Sequence, residues 1–207
     1  MRYYIGEELT AADNWEDVFP PIEAPRNYKD PQKIAEYIER RKYELATGEA
    51  SMNPLTGNVT RVVAIKNKAD DIDVVFDEAG AGIGAKFLDW FLKDTGMDTD
   101  PTLLKEQLVV GCNVRRDLRL MAIEYIFVNG SLPFSLWWAL DLEADFRYNQ
   151  IPGFIDPLSA IFGTSSTDMA AAGRRFGLVE DPEAKEENLD AEARAVLAYQ
   201  LAKRMGL

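Results

Sequence analysis

Val59-Thr60-Arg61-Val62-Val63-Ala64-Ile65-Lys66, a polar link over Asn67 to Asp71, and then Ile72-Asp73-Val74-Val75-Phe76 form the stretch that decides the fold. β-branched residues dominate both runs and the link between them is short, so the pattern predicts a β-hairpin. Upstream, Asn53-Pro54-Leu55-Thr56-Gly57-Asn58 is a turn cluster. Before that, Asp30-Pro31 reads as a helix start, an N-cap acid followed by proline at the first helical position. Ile34, Tyr37, Ile38, Arg41 and Leu45 continue it at helical spacing, and the helix should fade near Thr47-Gly48. Arg2 to Ile5 reads as a first strand, and residues 11–29, with three prolines, as a loop.

Downstream of the hairpin, Gly80 to Gly84 leads into a helix carrying Phe87, Leu88, Trp90, Phe91 and Leu92. Leu108 to Gly111 is a buried-strand pattern, and a helix through Leu118, Leu120, Met121, Ile123 and Tyr125 follows, closing near Asn129-Gly130. Residues 132–148 are aromatic-rich and begin as a helix, Gly153 to Pro157 reads as a short strand ending in a turn, and Thr164 to Phe176 as a helix. Glu180 to Asn188 is a charged connector before a terminal helix from Asp190 to Met205, whose inner face is Ala195, Leu197, Ala198 and Leu201. Strands interleaved with helices predict an α/β fold. No repeat divides the chain, so one domain over 1–207 is expected, with a helical insertion at 31–48 after the first strand and a C-terminal helix at 189–205.

Composition narrows the chemistry. The 207 residues include 23 Lys+Arg against 35 Asp+Glu, a net charge of −12, with no histidine and one cysteine. Without histidine, Ser-His-Asp and Cys-His hydrolysis, His-ligated zinc and a histidine proton shuttle are excluded within the chain. One cysteine makes no internal disulfide. What remains is carboxylate chemistry with a hard metal, or Lys, Tyr and Ser/Thr chemistry. The acidic surplus repels polyanions and anionic membranes, so a protein partner is favoured over nucleic acid. The N-terminal sequence lacks a signal-peptide pattern and no apolar run approaches a membrane span, so a cytoplasmic protein is expected.

Several segments carry a likeness. Asn27-Tyr28-Lys29-Asp30-Pro31-Gln32-Lys33-Ile34, then Pro54 to Gly57 and Arg61 to Ile65, are followed by Gly111-Cys112-Asn113-Val114-Arg115-Arg116-Asp117-Leu118. Further on come Ile155-Asp156-Pro157-Leu158, Phe162-Gly163, Ser165 to Thr167 and Phe176 to Leu178. In this order the chain resembles the 3′-5′ exonuclease-like domains of the ribonuclease-H-like (DEDD) superfamily, related to the proofreading domain of family B DNA polymerases. The resemblance implies a mixed central sheet flanked by helices. It also implies phosphodiester hydrolysis by two Mg²⁺ or Mn²⁺ ions roughly 3.5–4 Å apart, held by four carboxylates.

Those four positions are only partly kept. Glu8 falls where the glutamate of the first-strand D-x-E pattern belongs, and Gly6 where its aspartate belongs. Asn113 and Asp117 keep an N-x-x-x-D spacing, with Cys112 in place of a histidine. Arg194 falls at the final aspartate, and Asp190 lies one helical turn earlier, where an N-cap role also suits it. Glu8 and Asp117 are therefore the catalytic remnants, and Asn113, Arg115 and Arg116 the candidate nucleic-acid contacts. No metal is expected; a residual ion would use Glu8, Asp117 and Asp190. The expected function is a degenerate, inactive exonuclease-like module for protein interaction or non-catalytic nucleic-acid association. The alternative is an active Mg²⁺- or Mn²⁺-dependent exonuclease using Glu7, Glu8, Asp117 and Asp190. Plainer roles stand beside these: Glu8 as a solvated acid, Asp117 as a helix N-cap, Cys112 as core, Asp156 as a turn residue, and Arg115, Arg116 and Arg119 as a salt-bridged helix start.

Overall fold

A computed structural model describes residues 2–53, 55–68, 71–100, 108–111, 114–133, 136, 154–155, 157–158 and 168–206. Among these residues five strands form one sheet: β1 (Arg2–Ala11), β2 (Gly57–Lys68), β3 (Asp71–Ala79), β4 (Leu108–Val110) and β5 (Phe154–Ile155), in the order β3-β2-β1-β4-β5. Their helices are α1 (Pro31–Leu45), α2 (Ile83–Thr95), α3 (Val114–Asn129), α4 (Met169–Arg175) and α5 (Ala191–Arg204). The chain makes two compact units, Met1–Glu8 with Val59–Leu207, and Leu9–Asn58.

The larger unit is α/β with a mixed sheet. The β2–β3 hairpin is antiparallel, pairing Arg61 with Ala79 through to Lys68 with Asp71, and its register shifts between Ala64 and Ile65 so that Val75 is left over as a bulge. β1 and β4 are parallel (Tyr3 with Val109), as are β4 and β5 (Val110 with Ile155). Helices cover both faces, as parallel strands require. On one face, Tyr3 meets Trp90 and Phe91 of α2 edge-on, at 6.1 and 5.4 Å between centroids. On the other, Tyr4 meets Tyr199 of α5 at 5.1 Å and shares a buried cluster with Val63, Ile65, Val110, Ala191, Ala195 and Ala202. The alanines let α5 lie close on the sheet, while Leu197, Ala198 and Leu201 turn to Met169 and Ala172 of α4.

α2 and α3 pack tightly at Gly84, where a Cβ would come 2.9 Å from the Met121 Cα. Glu124 fastens this contact by accepting from the backbone N–H of Gly84 (2.9 Å) and of Val59 (2.8 Å). Glu124→Ala leaves both donors unpaired and should cost about 1–3 kcal/mol, with Glu124→Gln losing less because its amide oxygen still accepts. Urea midpoints of the two variants measure the difference.

In the smaller unit, α1 begins as its sequence predicts: the Asp30 carboxylate accepts from the Gln32 N–H at 3.0 Å and Pro31 is the first helical residue. The helix does not fade at Thr47-Gly48 but widens into a π-turn over Ala46–Ala50. The Thr47 hydroxyl donates to the Tyr43 carbonyl and the Ser51 hydroxyl to that of Gly48, each at 2.8 Å, so the widened turn keeps its carbonyls bonded.

Three differences from the sequence reading have physical causes. β1 extends past Ile5 through Gly6 to Ala11, because sheet pairing overrides weak strand propensity there. Asp168, inside the span from Thr164 to Phe176 that reads as helix from sequence, instead caps α4, its carboxylate accepting from the Ala171 N–H at 2.6 Å. Asp117 lies in the first turn of α3, which starts at Val114, so it is not an N-cap. The aromatic segment 132–148 falls mostly outside the described residues, as do Cys112, Asn113 and Asp156. Among the described residues no helix is long and apolar enough to cross a membrane.

Candidate functional site

Strand alternation sorts the acids of β1 onto opposite faces. Tyr4, Gly6 and Glu8 face α5, whereas Tyr3 and Glu7 share the other phase. α5 can sit on β1 only because residue 6 is glycine. A Cβ there would lie 2.0 Å from the Ala191 carbonyl oxygen, 2.5 Å from the Ala195 nitrogen and 2.8 Å from the Arg194 Cβ. Glu8, one pleat further along, takes up the N-terminus of α5, its Oε1 accepting from the Ala191 N–H at 3.1 Å. Arg61 Nη1 reaches the same Oε1 at 3.5 Å while its fork grips Asp77 through two 3.0 Å bonds. Asp190 caps α5 by accepting from the Ala193 N–H at 2.8 Å.

Glu7, not Glu8, is the acid brought to Asp117. The two are 4% and 1% exposed, and the Asp117 charge acts directly on Glu7. Each is flanked by a guanidinium. Arg116 Nε donates to Asp117 Oδ1 at 2.7 Å, and Arg194 Nη1 donates to Glu7 Oε1 at 3.2 Å. Arg194 is anchored in two further directions, Nε to the Leu189 carbonyl at 3.0 Å and Nη2 to that of Glu186 at 3.1 Å. Among the described residues, Asp117 Oδ2 is buried and takes no bond from an N–H or hydroxyl. An ionised pair would leave that oxygen without a donor; a proton on Glu7 supplies one. Burial and the repulsion between the two acids thus favour a pair that holds one proton between two cations.

Electrostatics agree. Burial pushes the Glu7 carboxyl well above the usual carboxylate range, and the Asp117 charge pushes it further, with Arg194 and Arg116 only partly opposing. Burial also raises Asp117, against the pull of Arg116. Both folded values lie above the unfolded ones, so the stability these groups contribute is whole below the ordinary carboxylate range. It is lost as pH rises through the folded values. Glu7→Gln cannot ionise, so its stability should fall less than that of the native protein as pH increases above about 4.5. Urea denaturation between acid and neutral pH measures the two slopes; parallel slopes would count against a shared proton.

Of the residues expected from sequence, the structure brings Asp117 and Arg116 into this cluster and leaves Glu8 and Asp190 at the N-terminus of α5. Arg115 lies on α3 by its backbone, with its side chain outside the described residues, as is Asn113. In the sequence alone, Glu7 enters only an alternative acid set and Arg194 has no partner. The phase of Tyr3 and Glu7 along β1 was the available signal for Glu7. Among the described residues, no group of three or more His, Cys, Asp or Glu side chains is placed to hold a metal ion. Comparison of the chain with family models, curated proteins and solved structures finds no match.

Proposed function

We propose that this chain is a ribonuclease-H-like, exonuclease-related module that does not cut nucleic acid and serves as a protein-interaction or non-catalytic nucleic-acid-associated domain. The observation that carries this reading is the cluster of Glu7, Asp117, Arg116 and Arg194 beside a sealed Gly6. Two-metal hydrolysis needs several ionised carboxylates turned to one open space. Here the two acids share a proton and lie between two guanidinium groups, so a divalent ion would meet positive charge instead of a cradle. The position where the resemblance calls for a bridging aspartate is filled by α5 backbone.

The mixed sheet with helices on both faces suits the exonuclease-like ancestry. A protein partner is favoured by the net charge of −12 and by apolar side chains at the end of α3, where Phe127 is 85% and Val128 63% exposed. Incubation with end-labelled single-stranded DNA or RNA in Mg²⁺ or Mn²⁺ tests the reading. No shortening is expected beyond that seen with Asp117→Ala; metal-dependent shortening that Asp117→Ala abolishes would contradict it.

A further inference from the structure

We propose that the half-covered apolar stripe of α1 is a dimer interface, on which α1 of a second copy of this chain lies antiparallel about a twofold axis near Ile38. The inference goes beyond the proposed function and does not rest on it, because it uses only the smaller unit.

Ile34, Ile38, Arg41 and Leu45 recur at helical spacing and form one stripe along α1, with Tyr37 at its border. No residue of α1 is buried, and among the described residues of Leu9–Asn58 only Ala50, Ser51 and Thr56 are. Tyr28 meets the Tyr37 ring at 5.6 Å and Glu16 pairs with Lys42 at 2.8 Å, contacts that leave the stripe half-buried. A helix of 15 residues is marginal in water by itself, and an apolar face gains its stability by packing on something.

The charges of α1 and its cap say what fits. The first half carries Asp30, Lys33, Glu36 and Glu39, a net −2, and the second Arg40, Arg41, Lys42 and Glu44, a net +2. An antiparallel second copy sets each acidic half on a basic half, where a parallel one sets like on like. It also opposes the two helix dipoles favourably. About an axis near Ile38, that residue meets its own counterpart, Ile34 lies beside Leu45 of the other copy, and Lys33 beside its Glu44. Arg41 enters the seam with its guanidinium already paired to Glu44, so its stem can be covered without stranding a charge. Two such helices, each about 22 Å long, bury no more than the low end of specific interfaces, about 1,200 Å², so the dimer is a reversible one in the micromolar range.

Sedimentation equilibrium of the full chain from about 1 to 200 µM in about 0.15 M NaCl tests this. The mass should rise with concentration from 23.3 kDa toward twice that value. Ile38→Glu sets two acids together at the axis and should weaken the dimer at least about tenfold while lowering the monomer's Tm by less than about 3 °C. Lys33→Glu and Glu44→Lys should each weaken it about fivefold, and the double variant should restore it to within about twofold, because the reversed charges meet again across antiparallel helices. A chain that stays monomeric throughout overturns the proposal, as does a dimer that Ile38→Glu leaves intact or a charge reversal that the double variant does not rescue. If Ile38→Glu lowers the monomer's Tm further than that, or prevents folding, the stripe is covered within the chain and the proposal fails. Metal-dependent cleavage of nucleic acid would overturn the proposed function and leave the dimer untouched.

Discussion

Replacing Arg194 with alanine should lower the unfolding free energy by about 1–3 kcal/mol, the usual cost of leaving buried acceptors without their donor. The side chains of Arg194 and Glu7 are 14% and 5% exposed, so solvent does little to soften the loss. The substitution also strips a donor from the carbonyls of Leu189 and Glu186 at the entry to α5, the latter keeping the Leu189 N–H at 3.1 Å. Arg194→Lys should fall between, since a lysine keeps the charge but lacks the planar fork that reaches three acceptors. Urea denaturation gives the values. A loss under about 1 kcal/mol, the range of surface ion pairs, would mean that the cluster does not hold β1 to the C-terminal helix.

Gly6→Ala should be at least as damaging, at about 3 kcal/mol or more, the upper end of what overpacking costs. Two of the three atoms its Cβ would meet belong to the backbone of α5, which cannot turn away as a side chain can. Gly6→Asp, which restores the D-x-E pattern in sequence, should lose the native fold instead of gaining an ion. Circular dichroism and denaturation midpoints of both variants check this. A Gly6→Asp protein of native stability would show that α5 sits further from β1 than the 2.0 Å clash allows.

What was legible in the sequence followed from local physics. Asp30-Pro31 announced α1, the alternation of β-branched runs announced the β2–β3 hairpin, and Asp190 announced the cap of α5. The site was less legible because its geometry is tertiary. The D-x-E likeness gives Glu8 the place of a ligand, but strand phase hands Glu8 to the N-terminus of α5 and turns Glu7 to Asp117. Arg194 looked like a lost aspartate; that it reaches Glu7 and two carbonyls at once depends on how α5 lies across β1, which no local pattern encodes. The glycine at position 6 read as a missing ligand, and its reason is a helix backbone from the far end of the chain.

The most direct measurement is the anomalous difference map of a crystal of the native protein soaked in Mn²⁺. Arg194 should remain in place against Glu7, with no manganese peak at ligand distance from the Glu7 or Asp117 carboxylates. A peak about 2 Å from both carboxylates, with the Arg194 guanidinium displaced, would contradict this.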